Sequence, residues 1–145
     1  SVQTAISGTK EAVEEAMQKL KDEGAKRVIP LKTSGPFHTS KLQEAKNAYE
    51  KELEKIQFNK GKCKVIKNID GTYYNENDNI KEILANHIIS PVRFDKAIKL
   101  MQEENVEEYI EIGPGRTLTG FIKKDNKEAN TININSLESL ENYLN

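Results

Sequence analysis

Short apolar runs of strand character alternate with longer stretches of helical period along this chain. That alternation restricts the fold to an α/β architecture with a mainly parallel sheet, in which helices carry the chain from one strand to the next. Val2 to Ile6, Arg27 to Leu31, Cys63 to Asn68, Val106 to Ile112 and Thr131 to Ile134 read as strands. Pro30 marks an edge or the end of its strand, because it cannot donate to a ladder. From Lys10 to Glu23, Ala12, Val13, Ala16, Met17 and Leu20 share one helical face, with Thr9 to cap the start and Gly24 to stop the helix. Leu42, Ala45, Tyr49, Leu53 and Ile56 recur at spacings of 3, 4, 4 and 3, which predicts a helix over Lys41 to Ile56 with Ser40 as its cap. Ile80, Ile83, Leu84, His87 and Ile88 give a further stripe that must end or bend near Ser90, since the residue before Pro91 is driven out of the helical region. Phe94, Ala97, Ile98 and Met101 line the next helix, and Thr117 to Lys124 and Ser136 to Leu144 complete the set.

Charge and composition narrow the function. The 145 residues carry 22 Lys and Arg against 23 Asp and Glu, a formal charge of −1, so no global field draws this chain to nucleic acid or to an anionic membrane. Cys63 is the only cysteine, which excludes an internal disulfide and a zinc site built on several thiolates. No apolar run approaches the ~18 residues of a membrane span, and Ser1 to Ile6 lack the charged start and apolar core of a signal peptide. A cytoplasmic home is expected. The chain opens on strand-like residues without an initiator Met, as a truncated chain would.

Ligands of such sheets bind beyond the carboxyl ends of strands, and two loops meet that condition. The first, Lys32 to Thr39, presents Phe37 and His38 from a Gly35-Pro36 turn just ahead of a helix. His38 is the best acid or base in the chain, although spacing alone favours an ordinary loop histidine over a functional one. His87, on an apolar stripe, reads as structural. The second loop, Gly113-Pro114-Gly115, either turns the chain sharply or aims helix-start amides at an anion. It is not a phosphate-binding loop of the Gly-Lys-Ser/Thr type, and no Gly-x-Ser-x-Gly nucleophile elbow occurs anywhere. Lys60, Lys62, Lys64 and Lys67 form a basic stretch that serves either as a solvated edge or as a dock for an acidic partner.

Taken together, Gln3-Thr4-Ala5-Ile6-Ser7-Gly8, Gly24-Ala25-Lys26-Arg27-Val28-Ile29-Pro30-Leu31, Gly35-Pro36-Phe37-His38-Thr39, Asn68-Ile69-Asp70, Ser90-Pro91-Val92-Arg93-Phe94 and Glu111-Ile112-Gly113-Pro114-Gly115-Arg116-Thr117-Leu118-Thr119-Gly120 carry a family likeness. From Gln3 to about Leu144 the chain resembles the C-terminal half of the malonyl-CoA:acyl carrier protein transacylases. The resemblance implies part of a hydrolase-like α/β acyltransferase domain over residues 33–145, preceded over 1–32 by the remainder of an inserted ferredoxin-like subdomain. In that family a serine on a Gly-x-Ser-x-Gly elbow attacks malonyl-CoA, a histidine is its general base, and the malonyl ester passes to the phosphopantetheine thiol of acyl carrier protein.

By that resemblance His38 is the base, and the main-chain carbonyl of His87, where many members have Gln, orients its ring. Phe37 matches a Phe-His pattern linked with malonyl over methylmalonyl preference, and Gln3 a glutamine near the cleft. The serine, the arginine that pairs the malonyl carboxylate and one oxyanion-hole donor are expected in a missing N-terminal half of the same protein, so the chain alone is expected to be inactive. No bound cofactor is implied, coenzyme A entering only as the thioester substrate. A thioester hydrolase of the same fold and a non-catalytic α/β interaction module are the alternatives.

Overall fold

The computed structural model describes residues 3–145, so the Val2 end of the first expected strand lies outside the described residues. The elements run in the order α1 (Lys10–Asp22), a 3-10 turn (Ser40–Leu42), α2 (Gln43–Glu54), α3 (Ile80–Asn86), α4 (Phe94–Glu103), β1 (Glu108–Ile112), α5 (Thr117–Asp125), β2 (Asn130–Ile134) and α6 (Leu137–Leu144). Two compact units result, residues 5–97 and residues 98–145 with Gln3 and Thr4, the division falling inside α4.

In the first unit the helix signals are realised as local chemistry. The side chain of Thr9 accepts the Ala12 N–H at the start of α1, and Gly24 takes φ 84° beyond its end. α2 packs on α3, with Leu53 only 1% exposed and Ala85 fully buried at its centre. The Lys81 ammonium donates to the Glu54 carbonyl at 2.9 Å, tying α3 to the end of α2. Asn79 caps α3 by accepting the Glu82 N–H. As Pro91 requires, α3 unwinds before it, and a new helix begins at Phe94.

Ile66 and Tyr73 form an antiparallel bridge, with the Lys67 N–H donating to the Thr72 carbonyl at 2.7 Å. Between them Asp70 and Gly71 make a tight turn, Gly71 at φ 74°. This bridge is what remains of the strand expected over Cys63 to Asn68. Gln3 to Ile6 and Arg27 to Leu31 form no strand either. A strand exists only through ladder pairing with a neighbour, and neither segment enters a strand ladder among the described residues. Ile29 and Leu31 are accordingly 54% and 64% exposed.

In the second unit β1 and β2 pair in parallel, in register from Glu108 with Asn130 to Ile112 with Ile134. α5 supplies the crossover that parallel neighbours require, and α6 packs back on β2. Tyr109 is buried on one face of this pair; Ile110 and Ile112 stand on the other, in register with Ile132 and Ile134, and there Ile134 is buried while Ile112 is 79% exposed, although parallel sheets are normally covered on both sides. Ser136 caps α6 reciprocally with Ser139.

Candidate active site

The turn Gly35 to Thr39 delivers His38 in the left-handed region, φ 60°, a conformation that a side chain with a β-carbon adopts only when its surroundings enforce it. Thr39 supplies that enforcement. Its hydroxyl donates to the Pro36 carbonyl at 2.8 Å and accepts the Lys41 N–H at 3.3 Å, so one side chain closes the turn and caps the 3-10 turn that leads into α2. Thr39, rather than Ser40, is therefore the cap. A threonine directly after the histidine and before a helical stripe was the available signal for it.

The imidazole of His38 donates its Nδ1–H to the main-chain carbonyl of His87 at 2.9 Å, across 49 residues of sequence. A carbonyl oxygen can only accept, so neutral His38 carries its hydrogen on Nδ1 and leaves the Nε2 lone pair unoccupied. His38 is exposed, as a base that meets a reactant must be. His87 itself is the residue that ends α3, and the carbonyl it contributes is one that the helix no longer uses. Its own ring is half-buried, with Nε2 inaccessible and without a hydrogen-bond partner among the described residues. Burial, and then the neighbouring His38, lower its pKa, outweighing the opposite pull of Asp70.

Near this pair lies an ion cluster centred on a buried lysine that sequence reading mistook for surface. Lys67, expected in the basic docking stretch, is 7% exposed and reaches Asp78 at 3.1 Å and Asp70 at 3.5 Å. Desolvation alone would depress its ammonium, but the hydrogen bond to Asp78 and the charge of Asp70 hold the pKa above its ordinary 10.5. Asp70 is kept below the usual carboxylate value against its own burial, by hydrogen bonds from Thr72 and by Lys67. The Asn75 N–H, joined by Lys67, does the same for Asp78. Asp70-Gly71 and Asp78-Asn79 look like ordinary turn formers in sequence, which is why the cluster was missed. Elsewhere in the basic stretch, Lys60 pairs with Glu76 at 2.8 Å and Lys64 lies over the Tyr73 ring at 4.9 Å.

Phe37 is 51% exposed beside His38. Gln3 belongs to the other unit, where its side-chain oxygen accepts from Lys124 at 3.3 Å. In that unit the Gly113 to Gly115 loop turns through φ 138° and 88°. The helix-start amides behind it are already engaged: the Glu111 carboxylate accepts the Leu118 N–H at 3.1 Å and the Thr119 N–H at 2.8 Å. An internal anion thus occupies the start of α5, and the turn reading of this loop holds over the anion-site reading. Among the described residues no group of three or more His, Cys, Asp or Glu side chains could hold a metal, and no helix is long and apolar enough to cross a membrane.

Comparison with known proteins places this geometry in context. The chain is 39% identical over 96% of its length to the malonyl CoA-acyl carrier protein transacylase of Bacillus subtilis, of which it covers 44%. It superposes with a TM-score of 0.85, at 45% identity, on the malonyl CoA-acyl carrier protein transacylase of Clostridium perfringens, over 92% of this chain and 42% of that one. A TM-score of 0.85 at 33% identity relates it to a malonyl-transacylase solved in complex with its type II PKS acyl-carrier protein, over 93% of this chain and 44% of that one. The chain thus spans somewhat less than half the length of the curated relatives it matches. The family model for the acyl transferase domain matches residues 1–140, and the chain belongs to that family.

Proposed function

We propose that this chain is the histidine-bearing part of a malonyl-CoA:acyl carrier protein transacylase of fatty acid biosynthesis, acting in the cytoplasm and without a bound cofactor. The observation that carries the reading is the 2.9 Å hydrogen bond from His38 Nδ1–H to the His87 carbonyl. A neutral acceptor fixes the tautomer as an aspartate would in a triad, and directs Nε2 to the nucleophile. The serine hydroxyl belongs to a missing N-terminal half, together with the arginine for the malonyl carboxylate and one oxyanion donor, so the chain alone does not turn over.

His38 Nε2 takes the serine proton as Oγ bonds to the thioester carbonyl carbon. When the tetrahedral intermediate collapses, the C–S bond breaks and the same proton leaves with the coenzyme A thiol. In the second half-reaction Nε2 deprotonates the phosphopantetheine thiol of acyl carrier protein, sulfur attacks the malonyl ester, and the proton returns to the serine. Phe37 narrows the pocket against a branching methyl, Gln3 borders the cleft, and residues 1–32 are the remainder of the ferredoxin-like subdomain that ends where residue 33 enters the acyltransferase domain.

In the complete protein His38→Ala should lower malonyl transfer to carrier protein by at least ~100-fold. Transfer at the wild-type rate refutes the role of His38. Release of free malonate that is equally fast with and without carrier protein identifies the hydrolase instead, and absence of any acyl-enzyme on incubation with malonyl-CoA identifies the non-catalytic module.

A further inference from the structure

The mechanism above leaves the buried Lys67 cluster unused, yet its connections converge on the segment that carries the orienting carbonyl. A buried ammonium is retained only with compensating partners, and replacing such clusters by apolar groups often costs nothing in stability. Its role is therefore sought in geometry. Asp78, 3.1 Å from the Lys67 ammonium, immediately precedes Asn79, the residue that caps α3, and α3 ends on His87. Asp70, 3.5 Å from the same ammonium, stands in the turn of the Ile66 to Tyr73 hairpin.

That hairpin grips the chain on the far side of His87. The Asn68 carbonyl accepts the Arg93 N–H at 2.7 Å, and Gly71 lies against Lys96 and Ala97 so closely that a β-carbon there would meet the Lys96 β-carbon at 2.4 Å. Residues 79–92 are thus fastened at both ends to one ammonium, through Asp78 before α3 and through the hairpin after it. The cluster is already 7% exposed at Lys67, and polypeptide packed on this face can only deepen that burial.

We propose that Lys67 is a positioning residue for the transacylase reaction, holding the His87 carbonyl, by way of Asp70 and Asp78, where it receives the His38 Nδ1–H. The inference rests on the reading of His38 as the base, and its test separates the two. Lys67→Met, Lys67→Arg and Asp78→Asn are made in the complete protein and assayed for malonyl transfer. Lys67→Met should lower kcat on the order of 10-fold or more while KM for malonyl-CoA stays within about twofold, because orientation and not binding is lost. Arg, which keeps the charge, should recover most of that loss.

With 15N-labelled histidine at a pH above imidazole titration, His38 should change from one Nδ1–H tautomer in the wild type to a mixture in Lys67→Met. An unchanged tautomer overturns the proposal, whether kcat is kept or falls together with a rising KM. Should Lys67→Met fail to fold by circular dichroism, Asp78→Asn, which retains the Lys67 to Asp70 pair, is read by the same tautomer criterion. Loss of transfer in His38→Ala with full kcat in a folded Lys67→Met sinks the positioning role alone, and full transfer in His38→Ala sinks the reading of the site.

Discussion

His38 and His87 are joined by the side chain of one and the main chain of the other, 2.9 Å from Nδ1 to carbonyl oxygen. The imidazole of His87 takes no part in that bond, so the two functions of the residue separate by mutation. His87→Gln in the complete protein should keep malonyl transfer within about threefold of wild type, less than 1 kcal/mol in the barrier. It should also change how stability responds to acid. Burial, then His38, place the His87 pKa below its ordinary 6.5. The unfolded chain therefore gains a proton near 6.5 that the folded chain accepts only at lower pH. Stability from this source is complete above 6.5 and is lost as pH falls from there through the folded value. Denaturant unfolding of both proteins at about pH 7.5 and 5.5 should show the wild type losing ground to the Gln variant on acidification; a constant difference refutes the assignment.

Glu111 offers the opposite sign. Its carboxylate is held below the ordinary 4.5 by hydrogen bonds from Thr119 and Leu118, against a smaller effect of desolvation. The stability it adds is present above 4.5 and is lost as pH falls through the folded value. Glu111→Gln keeps one acceptor oxygen but removes the charge from the start of α5, and should lower the melting temperature by a few degrees at neutral pH. Below the folded pKa the two proteins should melt together. Equal melting temperatures at neutral pH sink the capping role.

What sequence made visible divides along a physical line. Helices are closed by their own residues, so the stripe from Leu42 to Ile56 and the caps at Thr9 and Ser136 were readable locally and appear nearly where expected. Strands are closed by other chain segments, and Arg27 to Leu31 has apolar content without a ladder partner among the described residues, whereas Val106 to Ile112 found Asn130 to Ile134 through α5. The hydrogen bond between His38 and His87 spans 49 residues, beyond any spacing rule, and only the family resemblance pointed to it. Lys67 looked like one more surface lysine because the carboxylates that bury it stand three and eleven positions away, in turns.

Gly71 gives the sharpest mutational contrast. It combines φ 74° with a neighbour so near that an added β-carbon would stand 2.4 Å from the Lys96 β-carbon and 3.1 Å from the Ala97 nitrogen. The first condition costs an alanine roughly 1–2 kcal/mol, and displacing the packed neighbour adds roughly 1–3 kcal/mol. Gly24, at φ 84°, shares the conformation but has nothing within 4 Å of an added β-carbon. In the complete protein Gly24→Ala should therefore cost about 1–2 kcal/mol by denaturant unfolding, and Gly71→Ala about 2–5 kcal/mol. Because the contact at Lys96 lies beyond His87 in the chain, Gly71→Ala should also depress kcat for malonyl transfer, which Gly24→Ala should leave intact. Equal destabilisation by the two substitutions would show that the hairpin does not press on the start of α4.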